Sequence, residues 1–147
     1  MFEKGPKIKF TLPPIWDKIK DSPLAPNPDV MVFTYGDTIY VPSGRKLPDY
    51  LIPHEELHMK QQKGYVYGAL KDSEAWWERY LVDEFFRLEQ ESDAYAKQYE
   101  FICKTTKNRE HRNRVLLEIA GSLASESYGS IIGQMAAYRL IKEKSNV

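Results

Sequence analysis

The distribution of proline is the strongest constraint that this sequence places on its fold. All nine prolines lie within the first 53 residues of the 147-residue chain. Proline lacks a backbone N–H donor and clashes with the preceding turn inside a helix. The first third is therefore expected to form loops and short strands, whereas the remainder can be mostly helical. A chain of this length fits one ordinary domain with a real core.

Composition excludes several classes of protein. The 21 basic and 21 acidic residues balance, so there is no general electrostatic drive toward nucleic acid or an acidic membrane. The charged start MFEKGPKIKF lacks the apolar core of a signal peptide, and no run of 18 apolar residues occurs. Cys103 alone cannot form an internal disulfide or a multi-cysteine zinc site. We expect a cytoplasmic protein in which histidines and carboxylates hold any metal.

The first half of the chain predicts a hairpin followed by a helix. Residues 1–29 are rich in proline and lysine and predict an irregular N-terminal arm. The segment from Val30 to Val41 is rich in β-branched and aromatic residues, and Gly36-Asp37 at its centre favours a tight turn. Asp49 is expected to cap a helix from about Tyr50 to Lys63.

The second half predicts three further helices. Apolar residues recur at three- and four-residue steps from Ser73 to about Lys104, which predicts one long helix. Two more are expected over Arg109–Ser125 and Ser130–Lys142, with a break at Tyr128-Gly129. The predicted fold class is α+β: a mainly helical domain with a small sheet or hairpin near its N-terminus.

The motif H-E-x-x-H, formed by His54, Glu55 and His58, is the most specific chemical signal in the chain. Four residues turn a helix by about 400°, so the two histidines share one face and can direct their nitrogens at one ion. Glu55 is rotated by about 100°, where its carboxylate can reach a water at the open metal position. The competing interpretation is two surface histidines on an amphipathic helix.

A catalytic zinc site requires a third protein ligand. His111 is the remaining histidine, but its polar surroundings predict a solvated residue. On the predicted long helix, Glu89 follows Phe85 by four residues and precedes Asp93 by one turn, so both acids are expected to face the interior. Glu91 is expected on the solvated side. We therefore predict Glu89 as the third ligand, with Glu91 as the alternative.

These residues resemble the gluzincin class of zinc metallopeptidases, in which H-E-x-x-H is followed by E-x-x-x-D on a second helix. The resemblance covers about residues 39–99, and the chain's length is most similar to minigluzincins and to small phage or bacterial proteins that are predicted to be metallopeptidases. It implies that Glu89 is a zinc ligand and that Asp93 supports a zinc-bound histidine, His54. It also implies a zincin-like core over residues 30–104, with the H-E-x-x-H helix packed against the glutamate-bearing helix. The C-terminal helices expected over residues 105–147 lie outside the resemblance.

The implied function is zinc-dependent hydrolysis of peptide bonds by a zinc-activated water, with Glu55 as general base. Tyr128, Tyr65 and Tyr67 are candidates for a phenol that assists at the developing oxyanion. The strand from Thr38 to Val41 either binds an extended peptide substrate or is an ordinary half-buried strand. The alternative is an inactive zinc-binding or regulatory module that retains the fold. The sequence leaves the oligomeric state open.

Overall fold

The computed structural model describes residues 5–24 and 26–147. It is an α+β fold in which helices predominate and two small sheets lie in the first half of the chain. The strands are β1 (Lys7–Lys9), β2 (Phe33–Tyr35), β3 (Thr38–Tyr40), β4 (Val66–Tyr67) and β5 (Leu70–Lys71). The helices are α1 (Trp16–Lys20), α2 (Leu51–Gln62), α3 (Asp72–Val82), α4 (Glu84–Thr105), α5 (Arg109–Leu123) and α6 (Gln134–Lys144).

The predicted hairpin is present as β2 and β3, which pair antiparallel around Gly36-Asp37. Gly36 has a φ of 67°, a conformation that glycine adopts without the steric cost of a side chain. Its N–H lies within hydrogen-bonding distance of the Gln62 and Ser73 side chains. The turn is therefore bonded to both α2 and α3.

The strand predicted as a possible peptide-binding edge is instead the centre of its sheet. The strand order is β1-β3-β2, so β3 pairs in parallel with β1 on one side and with β2 on the other. Residues Thr38–Tyr40 therefore have no open edge for strand addition, and that interpretation was wrong. The sequence could not show this because β1 lies in the region expected to be an irregular arm.

Helix α2 confirms the predicted helix around the H-E-x-x-H motif, but its start differs in detail. The Asp49 side chain makes no capping hydrogen bond. The first turn is closed by backbone bonds from Leu51 N to Pro48 O and from Ile52 N to Asp49 O. The prediction that the Asp49 side chain caps this helix was therefore wrong.

The single long helix expected from Ser73 to Lys104 is two helices, α3 and α4, separated at Asp83. Asp83 has an extended backbone, and its side chain accepts a hydrogen bond from Phe86 N, which caps α4. The break changes which side chains face inward: Phe86 is 8% exposed, whereas Phe85 is 80% exposed. The apolar periodicity of α3 therefore does not predict which side chains of α4 face inward.

The C-terminal helices follow the prediction with one shift. Helix α5 confirms the third helix, and it is followed by a short 3₁₀ turn over Glu126–Tyr128. Gly129 then has a φ of 94°, which confirms the break. Helix α6 begins at Gln134, not at Ser130 as expected, because Ser130 has a φ of 52°, which is outside the right-handed helical region.

Helix α4 lies at the centre of the domain and contacts α2, α3, α5 and α6. One buried cluster joins α4 to α5 and α6 around Tyr95, Leu116 and Ile141. A second joins the N-terminal segments to α3 around Ile19 and Trp76. Among the described residues, no helix is both long and apolar enough to cross a membrane.

Replacing Asp83 with Ala removes the side chain that caps α4. We expect the free energy of unfolding to fall by about 1 kcal/mol, as measured by urea denaturation. The matched control is Asp83→Asn, because asparagine caps a helix about as well as aspartate and should keep most of the stability. Equal losses in the two variants would assign the effect to the ion pair between Arg79 and Asp83 instead of to the cap.

Candidate metal centre

The H-E-x-x-H motif lies on the buried side of α2. His54, Glu55 and His58 are each at most 5% exposed. Burying such polar groups is costly unless each finds a partner. Within the described ranges, no buried side-chain nitrogen or oxygen lacks a hydrogen-bond partner. The interpretation of two surface histidines is therefore excluded by their burial.

Glu91 of α4 completes a group of three buried side chains with the two histidines. Its Oε1 lies 3.1 Å from His54 Nε2 and 3.2 Å from His58 Nε2. One potential ligand atom from each of these residues lies within 4.8 Å of the other two. Two imidazoles and one carboxylate form the donor set of many zinc sites that keep one position open for water.

Glu89, the predicted third ligand, is exposed and does not face the histidines. The prediction was anchored on Phe85, one turn earlier, which is itself exposed because the helix phase changes at Asp83. Glu91 instead shares its face of α4 with Arg87 and Gln98, and all three are buried. The expectation that Glu89 faces the interior was therefore wrong, and its alternative occupies that position.

Asp93, expected to support His54, is bonded elsewhere. Its Oδ1 is 2.7 Å from Lys144 Nζ on α6, so it links two helices. The Nδ1 atom of His54 lies 3.0 Å from Gln98 Oε1. The Nδ1 atom of His58 lies 2.7 Å from Gln61 Oε1. The prediction that Asp93 supports His54 was therefore wrong: the Gln98 amide contacts His54, and the Gln61 amide contacts His58 in the same way.

These amides favour the histidine tautomer that metal binding needs. An amide oxygen accepts hydrogen bonds, so each Nδ1 must carry its proton and donate it. The Gln61 amide is oriented because its Nε2 donates to Gln90 O, 3.0 Å away. With Nδ1 protonated, a neutral imidazole directs its Nε2 lone pair at the point shared with Glu91. The donor set thus fits a divalent cation such as Zn²⁺.

Tyr80 of α3 holds the other carboxylate oxygen. Its hydroxyl donates to Glu91 Oε2 at 2.6 Å. Burial, reinforced by the nearby negative charge of Glu91, raises the pKa of Tyr80 well above its usual value, so the phenol keeps its proton. The bond leaves Oε1 as the carboxylate oxygen directed at the histidines.

When no metal is present, Glu91 and the two histidines shift one another's pKa values. Burial alone would lower the pKa of His58, but the charge of Glu91 outweighs it and raises that pKa to about 9. Burial alone would raise the pKa of Glu91, but the two histidines hold it well below its usual range. At neutral pH the metal-free group therefore contains a buried ion pair, and a bound cation would displace the imidazole proton.

Glu55 lies beside this group and is oriented by the hairpin. Thr34 of β2 donates its hydroxyl to Glu55 Oε1 at 2.7 Å, while Oε2 lies 3.9 Å from His54 Nε2. Thr34 O in turn accepts from Gln62 Nε2 and Trp77 Nε1. The position of the Glu55 carboxylate therefore depends on contacts with both α2 and α3.

Tyr128 lies on the 3₁₀ turn and reaches the same region. Its hydroxyl is 2.9 Å from the hydroxyl of Tyr95, whose ring packs edge-on against His54. Burial raises the pKa of Tyr128 well above its usual value, so the hydroxyl remains a proton donor at neutral pH. Tyr65, another candidate phenol, instead contacts Arg79 away from the histidines.

Arg87 joins the backbone segments that carry Tyr80 and Tyr128. It is 4% exposed, and its guanidinium donates to Tyr80 O and to Tyr128 O, each at 3.2 Å. In the part of the chain that the structure describes, no carboxylate lies within ion-pair distance of Arg87. Its contacts therefore hold the 3₁₀ turn against the end of α3.

Two cavities meet at His54 and Glu55. A narrow one of about 40 Å³ is largely aromatic and apolar, with Phe33, Trp77 and Leu81 among its lining residues. An open cleft of about 510 Å³ has Arg45 and Glu118 among its lining residues. Both are lined by His54, Glu55 and Tyr128, so the narrow cavity and the open cleft adjoin at these side chains.

Comparisons with protein-family models, with curated proteins and with solved structures find no match to this chain.

We expect Glu91→Ala to abolish high-affinity Zn²⁺ binding, because two histidines alone leave the site without its carboxylate. Glu89→Ala is the matched control on the same helix and should bind Zn²⁺ as the parent does. Calorimetric titration of chelator-treated protein measures both affinities. Loss of binding in the Glu89 variant alone would contradict the geometry described above.

The two residues proposed to orient His54 can be compared in the same way. Gln98→Leu should weaken Zn²⁺ binding by about 10- to 100-fold, because His54 loses the acceptor that fixes its tautomer. Asp93→Asn should leave the affinity unchanged, since Asp93 contacts Lys144. A competition titration with a zinc chelator resolves this difference, and the reverse order would restore the original assignment of Asp93.

Proposed function

We propose that this protein is a zinc-dependent peptidase with a zincin-like fold, in which His54, His58 and Glu91 hold the metal. Glu55 is the general base, and a peptide or protein segment bound in the open cleft is the substrate. The chemistry of the donor set supports Zn²⁺: two imidazoles and one carboxylate, with no fourth ligating side chain grouped with them over residues 5–24 and 26–147.

The observation that carries the proposal is the position of Glu55. Its Oε2 lies 3.9 Å from His54 Nε2, one of the proposed ligand atoms, while its Oε1 accepts a hydrogen bond from Thr34. A site that only binds metal for stability requires ligands but no additional buried carboxylate. A carboxylate held beside the ligands, in contact with the cleft, is the arrangement that general-base catalysis needs.

The roles of the side chains follow from their atoms. When bound, Zn²⁺ supplies a Lewis acid that acidifies water and polarises a carbonyl. Glu55 Oε2 accepts the proton of the attacking water and delivers it to the nitrogen of the leaving amine, while Thr34 keeps Oε1 fixed. The Tyr128 hydroxyl is a proton donor near the cleft that can stabilise negative charge on the carbonyl oxygen.

The test compares the parent protein with Glu55→Gln on a mixed peptide library, with bound zinc quantified in both. We expect about one zinc per chain in each protein and cleavage by the parent. The amide keeps the shape of the side chain but cannot accept a proton, so kcat should fall by about 10²- to 10⁴-fold. Product formation is measured by mass spectrometry.

Two outcomes would contradict this proposal in different ways. Zinc binding without cleavage in the parent favours a metal-binding module that retains the fold without peptidase activity. Cleavage that is equal in the two proteins indicates a contaminating protease.

A Tyr128→Phe variant tests the role of the phenol. A lower kcat with unchanged zinc content supports the assignment of Tyr128 to the oxyanion, whereas unchanged kinetics contradicts that assignment.

A further inference from the structure

A separate concave site lies between α4, α5 and α6, and it shares no lining residue with the two cavities that meet at His54. Its volume is about 430 Å³. The lining residues that matter here are Tyr99, Arg109, Arg112, Asn113, Tyr138 and Lys142. We call this site the α5–α6 groove.

The register between α5 and α6 is fixed by two hydrogen bonds between the helices. Gln134 Nε2 donates to Leu117 O at 3.0 Å. One turn later on α6 and one turn earlier on α5, the Tyr138 hydroxyl donates to Asn113 Oδ1 at 2.6 Å. Steps of four residues in opposite directions show that the helices run antiparallel with matched turns.

The next step along this row places one cation on each helix. Four residues after Tyr138 is Lys142, and four residues before Asn113 is Arg109; both line the groove. Arg112, from the same turn of α5, lies there too. The row that begins with two hydrogen bonds therefore ends at three cationic side chains that line one groove, where Lys142 Nζ also lies 5.8 Å from the centroid of the Tyr138 ring.

Acidic side chains do not neutralise these cations by direct pairing. Over residues 5–24 and 26–147, no carboxylate lies within ion-pair distance of Arg109, Arg112 or Lys142, although Glu110 also lines the groove. By contrast, Lys144 on the same helix is paired with Asp93 at 2.7 Å.

The groove also presents fixed hydrogen-bond donors. The Arg112 side chain is oriented by its Nε, which donates to Thr106 O at 2.5 Å. Asn113 Oδ1 already accepts from Tyr138, which leaves its NH₂ group to donate. Burial, with a smaller contribution from Cys103, raises the pKa of Tyr99 to about 12, so its hydroxyl keeps a proton at neutral pH.

We propose that the α5–α6 groove binds a phosphate group, either as inorganic phosphate or as the head of a phosphate monoester. A guanidinium donates two parallel N–H bonds to phosphate oxygens, and a lysine adds a compact charge. The phosphate completes the row of contacts between α5 and α6 by lying between Arg109 and Lys142. The groove volume is in the range of small-molecule sites, so it accommodates an organic substituent beside the anion.

The experiment titrates the full chain with inorganic phosphate and, separately, with phenyl phosphate, by calorimetry at constant ionic strength. A chelator is present so that phosphate cannot bind through metal at His54 and His58. Tighter binding of phenyl phosphate identifies a monoester as the ligand, and equal binding identifies the free ion. Absence of binding by both at millimolar concentration overturns the proposal.

Matched variants separate the groove from general surface charge. Lys142→Gln and Arg109→Gln should each weaken binding by about tenfold or more, the effect of losing one charge-assisted contact. Arg139→Gln makes the same charge change on an exposed part of α6 outside the groove and should leave binding unchanged. Equal weakening in all three variants overturns the assignment.

A second measurement is the shift in melting temperature on adding inorganic phosphate. Phosphate should raise the melting temperature of the parent and of Arg139→Gln to the same extent, and that of Lys142→Gln less, because a ligand that binds only the folded state stabilises it in proportion to its affinity. Equal shifts in the three proteins would overturn the assignment. The outcome does not depend on whether the protein cleaves peptides.

Discussion

Burial of the Glu91 carboxylate between two imidazoles and a phenol is the interaction on which the arrangement of the helices depends. A buried carboxylate is unfavourable unless partners compensate its charge and its lone pairs. His54 and His58 come from α2, and Tyr80 comes from α3. The hydrogen bonds to the Glu91 carboxylate therefore fix the positions of α2 and α3 relative to α4. Removal of one partner would leave an uncompensated charge in the core.

Local patterns in the sequence were sufficient for much of the fold. The spacing of His54 and His58 predicts a shared helix face, and α2 confirms that helix. The turn at Gly36-Asp37 is equally local, since it depends on a conformation that glycine tolerates. Both features are set by residues that are neighbours in the chain. Catalysis, the bound metal and the zincin-like relationship remain proposals.

The third side chain of the metal group could not be selected by the same reasoning. The apolar periodicity was counted as one helix, although α3 ends and α4 begins at Asp83. One signal was available: an aspartate three residues before Phe86 is typical of a helix N-cap. Within α4, Glu91 lies one turn after the buried Arg87 and shares its face, whereas Glu89 lies one turn after the exposed Phe85. The partners of Asp93 and Gln98 have no comparable signal, since Lys144 and His54 are distant in sequence and only packing brings them together.

The break at Asp83 has a consequence for distance as well as for phase. In one continuous helix, Tyr80 and Glu91 would be separated by about 16 Å along the axis, because each residue advances the helix by about 1.5 Å. Trp76 and Gln90, which also share a hydrogen bond, would be separated by about 21 Å. Only a chain that reverses at this point can bring both pairs into contact. The corner between α3 and α4 is thus what allows two successive helices to surround one carboxylate from different sides.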